Sequence, residues 1–255
     1  MLQYLVVMKN KQKKLGKKTT TKFETLFNQA KRLYSLQHYE KTIAKLDEAI
    51  QIESNCLEAF FYRGNALIAL ERYEEALATS DRTIQLESDN PDVWYNRAII
   101  LKHLNFLEES LKSYDKAIEL KPDFYKAWYN KSTLLNQLNQ YEEALNCCEK
   151  VIQIAPDNYR NWYLHGISLN FLNRYEEAIV SFEKTIQLNP NYVIASWERA
   201  KAIAKLGRLD EASAIFAKLM KTYPSLLEKQ LQVFSEDSSF LENPEVKKLF
   251  KIISE

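Results

Sequence analysis

The sequence predicts an all-α solenoid of six 34-residue helix–turn–helix units, and three observations predict it. Shifting the chain by 34 residues superimposes most of it on itself, so that Leu36, Leu70, Leu104, Leu138, Leu172 and Leu206 fall in one unbroken column. Only four glycines and six prolines interrupt a chain rich in Leu, Ala, Glu, Lys and Gln, side chains that lose little rotamer freedom in a helix. The 255 residues exceed the usual single-core domain of roughly 100–150 residues, yet no Gly/Pro/Ser-rich stretch divides them, as expected of a repeat array.

Residues 1–22 read as a basic, disordered extension. Lys9, Lys11, Lys13, Lys14, Lys17, Lys18 and Lys22 are its only charged side chains, which gives the segment a charge of +7 within a chain whose net charge is +1. Setting those seven aside leaves 28 basic against 34 acidic residues, so the body is mildly acidic, unlike a nucleic-acid binder. The apolar start, Met1 to Met8, is shorter than a signal-peptide core and precedes the lysines instead of following them, and it is too short to span a bilayer. Secretion is therefore not expected, and Met8, followed at once by Lys9, marks an alternative start. Cys56, Cys147 and Cys148 are too few and too poorly spaced for a disulfide framework or a zinc site, which points to a reducing, cytoplasmic setting.

Residues 23–224 hold the units, at 23–56, 57–90, 91–124, 125–158, 159–192 and 193–224. In each first helix, the column Leu33, Leu67, Leu101, Leu135, Leu169 and Ile203 sits one turn before the Leu36 column, which predicts a buried face. The column Ala30, Gly64, Ala98, Ser132, Gly166 and Ala200 is uniformly small. Thr42, Ala76, Ser110, Ala144, Ala178 and Ala212 repeat that demand in the second helices, so the two helices of a unit are expected to meet closely there. The Trp94, Trp128 and Trp162 column and the Tyr39, Tyr73, Leu107, Tyr141, Tyr175 and Leu209 column read as core.

Short polar pairs, Gln37-His38, Asn139-Gln140, Asn173-Arg174 and Gly207-Arg208, suit the reversal inside a unit. Between units, Pro122, Pro156, Pro190 and Pro224 stop each second helix, with Ser54 and Ser88 in the equivalent earlier places. Residues 225–255 continue with apolar helical patterns at Leu226 to Phe234 and at Val246 to Ile253, and are expected to cap the last unit, whose face would otherwise be bare.

At this point the chain resembles the tetratricopeptide repeat family, whose W-x2-L-G-x2-Y…A-x3-F…P pattern is echoed from Phe23 to Pro224. Ser80 and Cys148 depart from it in a usually bulky column, and Ser196 stands in place of tryptophan, with Trp197 following. The resemblance implies a right-handed superhelix whose first helices line a concave groove.

No chemistry of catalysis stands out: there is no Gly-rich phosphate loop, nucleophile elbow, H-E-x-x-H or paired Cys-x-x-Cys. His38, His103 and His165 are isolated and read as solvated. The pairs Glu74-Glu75, Glu108-Glu109, Glu142-Glu143 and Glu176-Glu177 open second helices, where negative charge favours the dipole, so they are not an acid–base site. Adjacent Cys147 and Cys148 point apart on a helix and do not share a metal. No catalytic residue, cofactor, metal or small-molecule substrate is expected.

The surface expected to bind is the groove. Phe27, Phe61, Tyr95, Tyr129, Tyr163 and Trp197 form an aromatic ladder that either supplies rigid anchors to a partner or packs between neighbouring first helices. Beside it Asn96 and Asn130 offer a donor and an acceptor to a peptide backbone. Family members that grip a C-terminal carboxylate use asparagines and basic residues in columns matched here by Asn65, Asn96 and Lys126, with Arg160 adjacent, whereas Phe61 and Asn130 stand where basic residues are expected. The leading expectation is a non-enzymatic scaffold or adaptor binding a peptide segment of a partner protein. The alternatives are recruitment to an anionic membrane or RNA through Lys9–Lys22, and self-assembly as a weak homodimer around Leu26, Leu33 and Leu36 in place of a monomer.

Overall fold

The computed structural model describes residues 20–223, and every regular element among them is a helix. Helix α1 covers residues 20–35. It is followed by α2 (Tyr39–Ile52), α3 (Leu57–Ala69), α4 (Tyr73–Leu86), α5 (Pro91–His103), α6 (Leu107–Leu120) and α7 (Tyr125–Gln137), then α8 (Tyr141–Ile154), α9 (Tyr159–Phe171), α10 (Tyr175–Leu188), α11 (Val193–Lys205) and α12 (Leu209–Thr222). From α2 on, 14-residue and 13-residue helices alternate, which makes an all-α solenoid. Residues 20–22, assigned by sequence to the extension, are already helical. The rest of the basic extension and the 225–255 cap lie outside the described residues. The chain forms two compact units, Met1–Ala127 and Trp128–Glu255, with the boundary inside α7.

The small columns carry the packing. Every member of the second-helix column, from Thr42 to Ala212, is 0 % exposed, and so are Ala30, Ala98, Ser132 and Ala200 of the first-helix column. Contact is close enough for the Ser110 hydroxyl on α6 to donate to the Ala98 carbonyl on α5 at 2.7 Å. The Leu67, Leu101, Leu135, Leu169 and Ile203 column is buried as expected. The Leu36 column is not the buried face it looked like: its members fall at the helix C-termini, Leu70, Leu104, Leu138, Leu172 and Leu206 are half-buried, and Leu36 is 56 % exposed.

Two further columns are corrected. Trp94 and Trp162 are half-buried, and their indole N–H groups donate to the carbonyls of Ser88 and Pro156, each at 2.7 Å. They tie each first helix back to the loop that precedes it, which an indole does and a purely apolar side chain does not. The tyrosines opening second helices lie at the edge of the packing, where Tyr73 stacks on His103 and Tyr141 on Phe171 with ring centroids 4.4 and 4.5 Å apart.

Each first helix ends the same way. Gln37, Glu71, Asn105, Asn139 and Asn173 have φ near +60°, and Gly207 has φ +77°. The next residue's N–H then reaches back across the turn, as in Arg72 to Leu67, Phe106 to Leu101 and Arg174 to Leu169, the hydrogen bond of a left-handed helix stop. Second helices start without a side-chain cap at residues 72, 174 and 208. There Arg72, Arg174 and Arg208 instead donate to Glu75, Glu177 and Glu211 in the first turn. Two of the acid pairs, at Glu75 and Glu177, thus bond arginine besides meeting the helix dipole.

The two glycines of the small column differ in what a methyl group would meet. At Gly166 a Cβ would lie 2.6 Å from the ring of Phe182, which is fully buried, whereas at Gly64 the nearest atom is Thr79 Cγ2 at 3.7 Å. Gly64→Ala should therefore raise stability by about 0.5–1 kcal/mol through helix propensity alone, while Gly166→Ala should lower it by about 1–3 kcal/mol. Urea unfolding of the two variants checks this, and equal shifts of the same sign would contradict it.

Candidate functional site

In the first unit the predicted residues lie on α3, α5 and the start of α7. Phe61 and Asn65 share α3, and Tyr95 and Asn96 share α5; all four are half-buried, while Lys126 is exposed. Asn96 Nδ2 donates to Asn65 Oδ1 at 2.7 Å, across the two first helices. That bond uses one amide hydrogen and one carbonyl oxygen. Asn65 Nδ2 and Asn96 Oδ1 have no protein partner among the described residues, so the pair presents one donor and one acceptor, already oriented. Tyr95 packs on buried Tyr114 and Phe124, with centroids 6.1 and 5.1 Å away, so one side of its ring is fixed by the core.

The face is braced from beneath by a repeated arginine. Arg63 Nε donates to Asp47 on the preceding second helix at 2.7 Å, and its Nη1 to Thr79 on the following one. Arg97 does the same with Asp81 and Ser113, at 2.7 and 2.9 Å. Each arginine links three helices and is mostly covered, which restricts the rotation of the first helix that bears the candidate residues.

In the second unit Tyr129, Asn130 and Tyr163 are half-buried and Arg160 is exposed. Sequence reasoning missed two partners here, Tyr159 and Tyr192. The Tyr192 ring lies 4.9 Å from Tyr159 and 5.1 Å from Tyr163, centroid to centroid, and Arg160 Nε donates to the Tyr159 hydroxyl at 3.3 Å. Burial pushes the Tyr129, Tyr163 and Tyr192 phenols up, Tyr163 most strongly, with Glu198 adding to the effect. Tyr159 opens a helix and Tyr192 ends a loop, so neither falls in the ladder column, and only their shared aromatic character hinted at a cluster.

Two expectations need correction. Trp197 is 2 % exposed and packs edge-on to Phe216 with centroids 4.8 Å apart, so its indole belongs to the core. Phe27, the first rung of the ladder, is buried against Phe23 and against Tyr62 on the next first helix, which is the packing alternative for that ladder. His165 is half-buried, not solvated: it stands in the brace column of Arg63 and Arg97 and shares a 2.9 Å hydrogen bond with Ser181, and burial holds its pKa below the ordinary value. Cys147 and Cys148 are buried, and desolvation pushes the Cys148 thiol up to about 12. Among the described residues no group of acidic, histidine and cysteine side chains has metal-binding geometry, and no helix is long and apolar enough to cross a membrane.

Four family models, each described as tetratricopeptide repeat, match residues 27–91, 91–124, 125–158 and 172–229. Comparison with curated proteins gives no match. Among solved structures, the C-terminal part of a TPR repeat-containing protein from Cytophaga hutchinsonii is 16 % identical, covering 89 % of this chain and 93 % of that one with a TM-score of 0.72. MamA from Desulfovibrio magneticus is 24 % identical over 66 % of this chain and 96 % of that one, with a TM-score of 0.63. YrrB, described as a TPR protein with an unusual peptide-binding site, is 24 % identical over 67 % and 88 %, with a TM-score of 0.60. At these identities the likeness shows the fold.

The raised phenol of Tyr163 has a definite sign. The folded state holds that proton more tightly than the unfolded chain, so its contribution is complete below the ordinary pKa of 10.0 and is lost as pH climbs from there toward the folded value. Tyr163→Phe should flatten the alkaline fall in stability, measured by urea unfolding from about pH 8 to about pH 11. An identical pH slope in the two proteins would show that the ring is not desolvated.

Proposed function

The chain belongs to the tetratricopeptide repeat family, and from that premise we propose that it is a non-enzymatic interaction scaffold whose first helices bind a peptide segment of a partner protein. The observation that carries this reading is the Asn65–Asn96 pair, whose remaining amide donor and carbonyl acceptor match the alternating groups of an extended backbone. Phe61 and Tyr95 flank the pair with aromatic surface, and Lys126 supplies an exposed cation on the first unit. On the second unit, Tyr129, Asn130, Tyr163 and Arg160 make a comparable set, extended by Tyr159 and Tyr192. Trp197 drops out because it is buried.

The anchors differ from those a sequence ladder suggests. Tyr95 and Tyr163 are wedged against buried aromatic rings, so truncating either would disturb the core as well as the face. The asparagines are the cleaner probes, since their bond is to each other and to no core group. YrrB is named for a peptide-binding site, which supports the same use of the fold here.

A phage-displayed random dodecapeptide library, selected on the immobilised full chain, tests this reading. Asn65→Ala/Asn96→Ala should fold normally and bind the selected peptides roughly 5- to 100-fold more weakly, as expected for the loss of two backbone hydrogen bonds. Unchanged affinity would remove the pair from the site.

A further inference from the structure

Phe182, which packs on Gly166, has as its equivalents at 34-residue steps Leu46, Ser80, Tyr114, Cys148 and Phe216, and all six are buried. Two of these stand 16 residues after a glycine of the facing helix. Above Gly166 the ring of Phe182 fills the space so fully that no methyl group would fit. Gly64 is matched instead with Ser80, whose hydroxymethyl group leaves that volume unfilled. A notch of about 10 Å³ results, lined by Phe60, Phe61, Gly64, Ser80, Thr83, Val93 and Asn96.

Three features give this notch the character of a subsite. It opens beside Phe61 and Asn96, the residues that border the proposed backbone contacts. The Ser80 side chain is 5 % exposed and its hydroxyl has no protein partner among the described residues, whereas neighbouring Thr79 and Thr83 both donate to backbone carbonyls one helical turn earlier. The remaining walls, Phe60, Val93 and the bare Cα of Gly64, are apolar. A volume of this size admits one water molecule or the tip of a side chain no longer than a hydroxymethyl group.

We propose that the notch at Gly64 and Ser80 is a specificity subsite that receives the side chain of an alanine or serine in the bound peptide. The inference rests on the peptide-binding reading of the α3–α5 face. With the backbone held by Asn65 and Asn96, a side chain directed inward meets Ser80. Alanine places its methyl group against Phe60 and Val93, and serine can in addition hydrogen-bond the Ser80 hydroxyl. Leucine or an aromatic residue does not fit, so the notch selects by exclusion as well as by contact.

The test uses peptides selected from the displayed library on the wild-type chain, with two protein variants. Gly64→Ala fills the notch with one methyl group and leaves ordinary contacts around it, and Ser80→Phe rebuilds the arrangement found at Gly166 and Phe182. Selected peptides should share a position restricted to alanine or serine. Replacing that residue with glycine should weaken binding to the wild type about fourfold, as expected for one buried methyl group, and should have no effect on binding to Gly64→Ala. Peptides that bind through Asn65 and Asn96 but show no small-residue position, or the same alanine-to-glycine difference in both proteins, would overturn the subsite and leave a water-filled recess. If the wild type enriches no peptide at all, the peptide-binding reading itself fails, and the subsite with it.

Discussion

The structure depends on one steric constraint: the two helices of each unit meet closely along a second-helix column that holds only threonine, serine and alanine. The second-helix column from Thr42 to Ala212 is wholly inaccessible to solvent, and the bond from the Ser110 hydroxyl to the Ala98 carbonyl shows how short the separation is. Close approach lets the Leu67, Leu101, Leu135, Leu169 and Ile203 column bury. The left-handed stop after each first helix serves the same end, because it turns the chain in few residues without letting the helices drift apart. It is kept even where it is costly, since glycine stands at only one of the six positive-φ sites and L-residues pay roughly 1–2 kcal/mol there.

The proposed binding residues stand on the first helices that this frame holds. The brace formed by Arg63 with Asp47 and Thr79, and by Arg97 with Asp81 and Ser113, holds the first helices from below. Asn65 and Asn96 orient each other with one hydrogen bond, and in the proposed reading their remaining donors and acceptors meet a partner. In the second unit the brace column carries Lys131, His165 and Arg199, of which His165 bonds Ser181 and Arg199 pairs with Glu183, and the face carries the Tyr163–Tyr192 ring contact. The two units thus present different chemistry on the same backbone plan.

Much of the fold was legible in the sequence because small residues and leucines recur without an insertion, and helix starts follow them. The aromatic columns were harder to read. Trp94 and Trp162 look like core side chains, but their value lies in an indole N–H reaching a loop carbonyl, a bond that no periodicity reveals. Trp197 follows Ser196 where the tryptophan column is vacated, so its neighbours and not its column decide that it turns inward. Tyr159 and Tyr192 come together only through the turn between α10 and α11, which sequence spacing does not convey. The notch at Gly64 was half legible: Ser80 stood out as a small residue in a bulky column, but its match with a glycine on the facing helix is a fact of three dimensions.

The central claim is that the α3–α5 face, through the oriented amides of Asn65 and Asn96, is where a partner peptide lies. Side-chain NH2 resonances give the most direct reading of it, in a titration of the isotope-labelled full chain with a selected peptide. The Asn65 and Asn96 cross-peaks should shift or broaden in step with binding, while the backbone amides of Glu74 and Glu75, at the start of the second helix α4, stay in place. Shifts confined to α4, with both asparagine signals unmoved, would contradict the account.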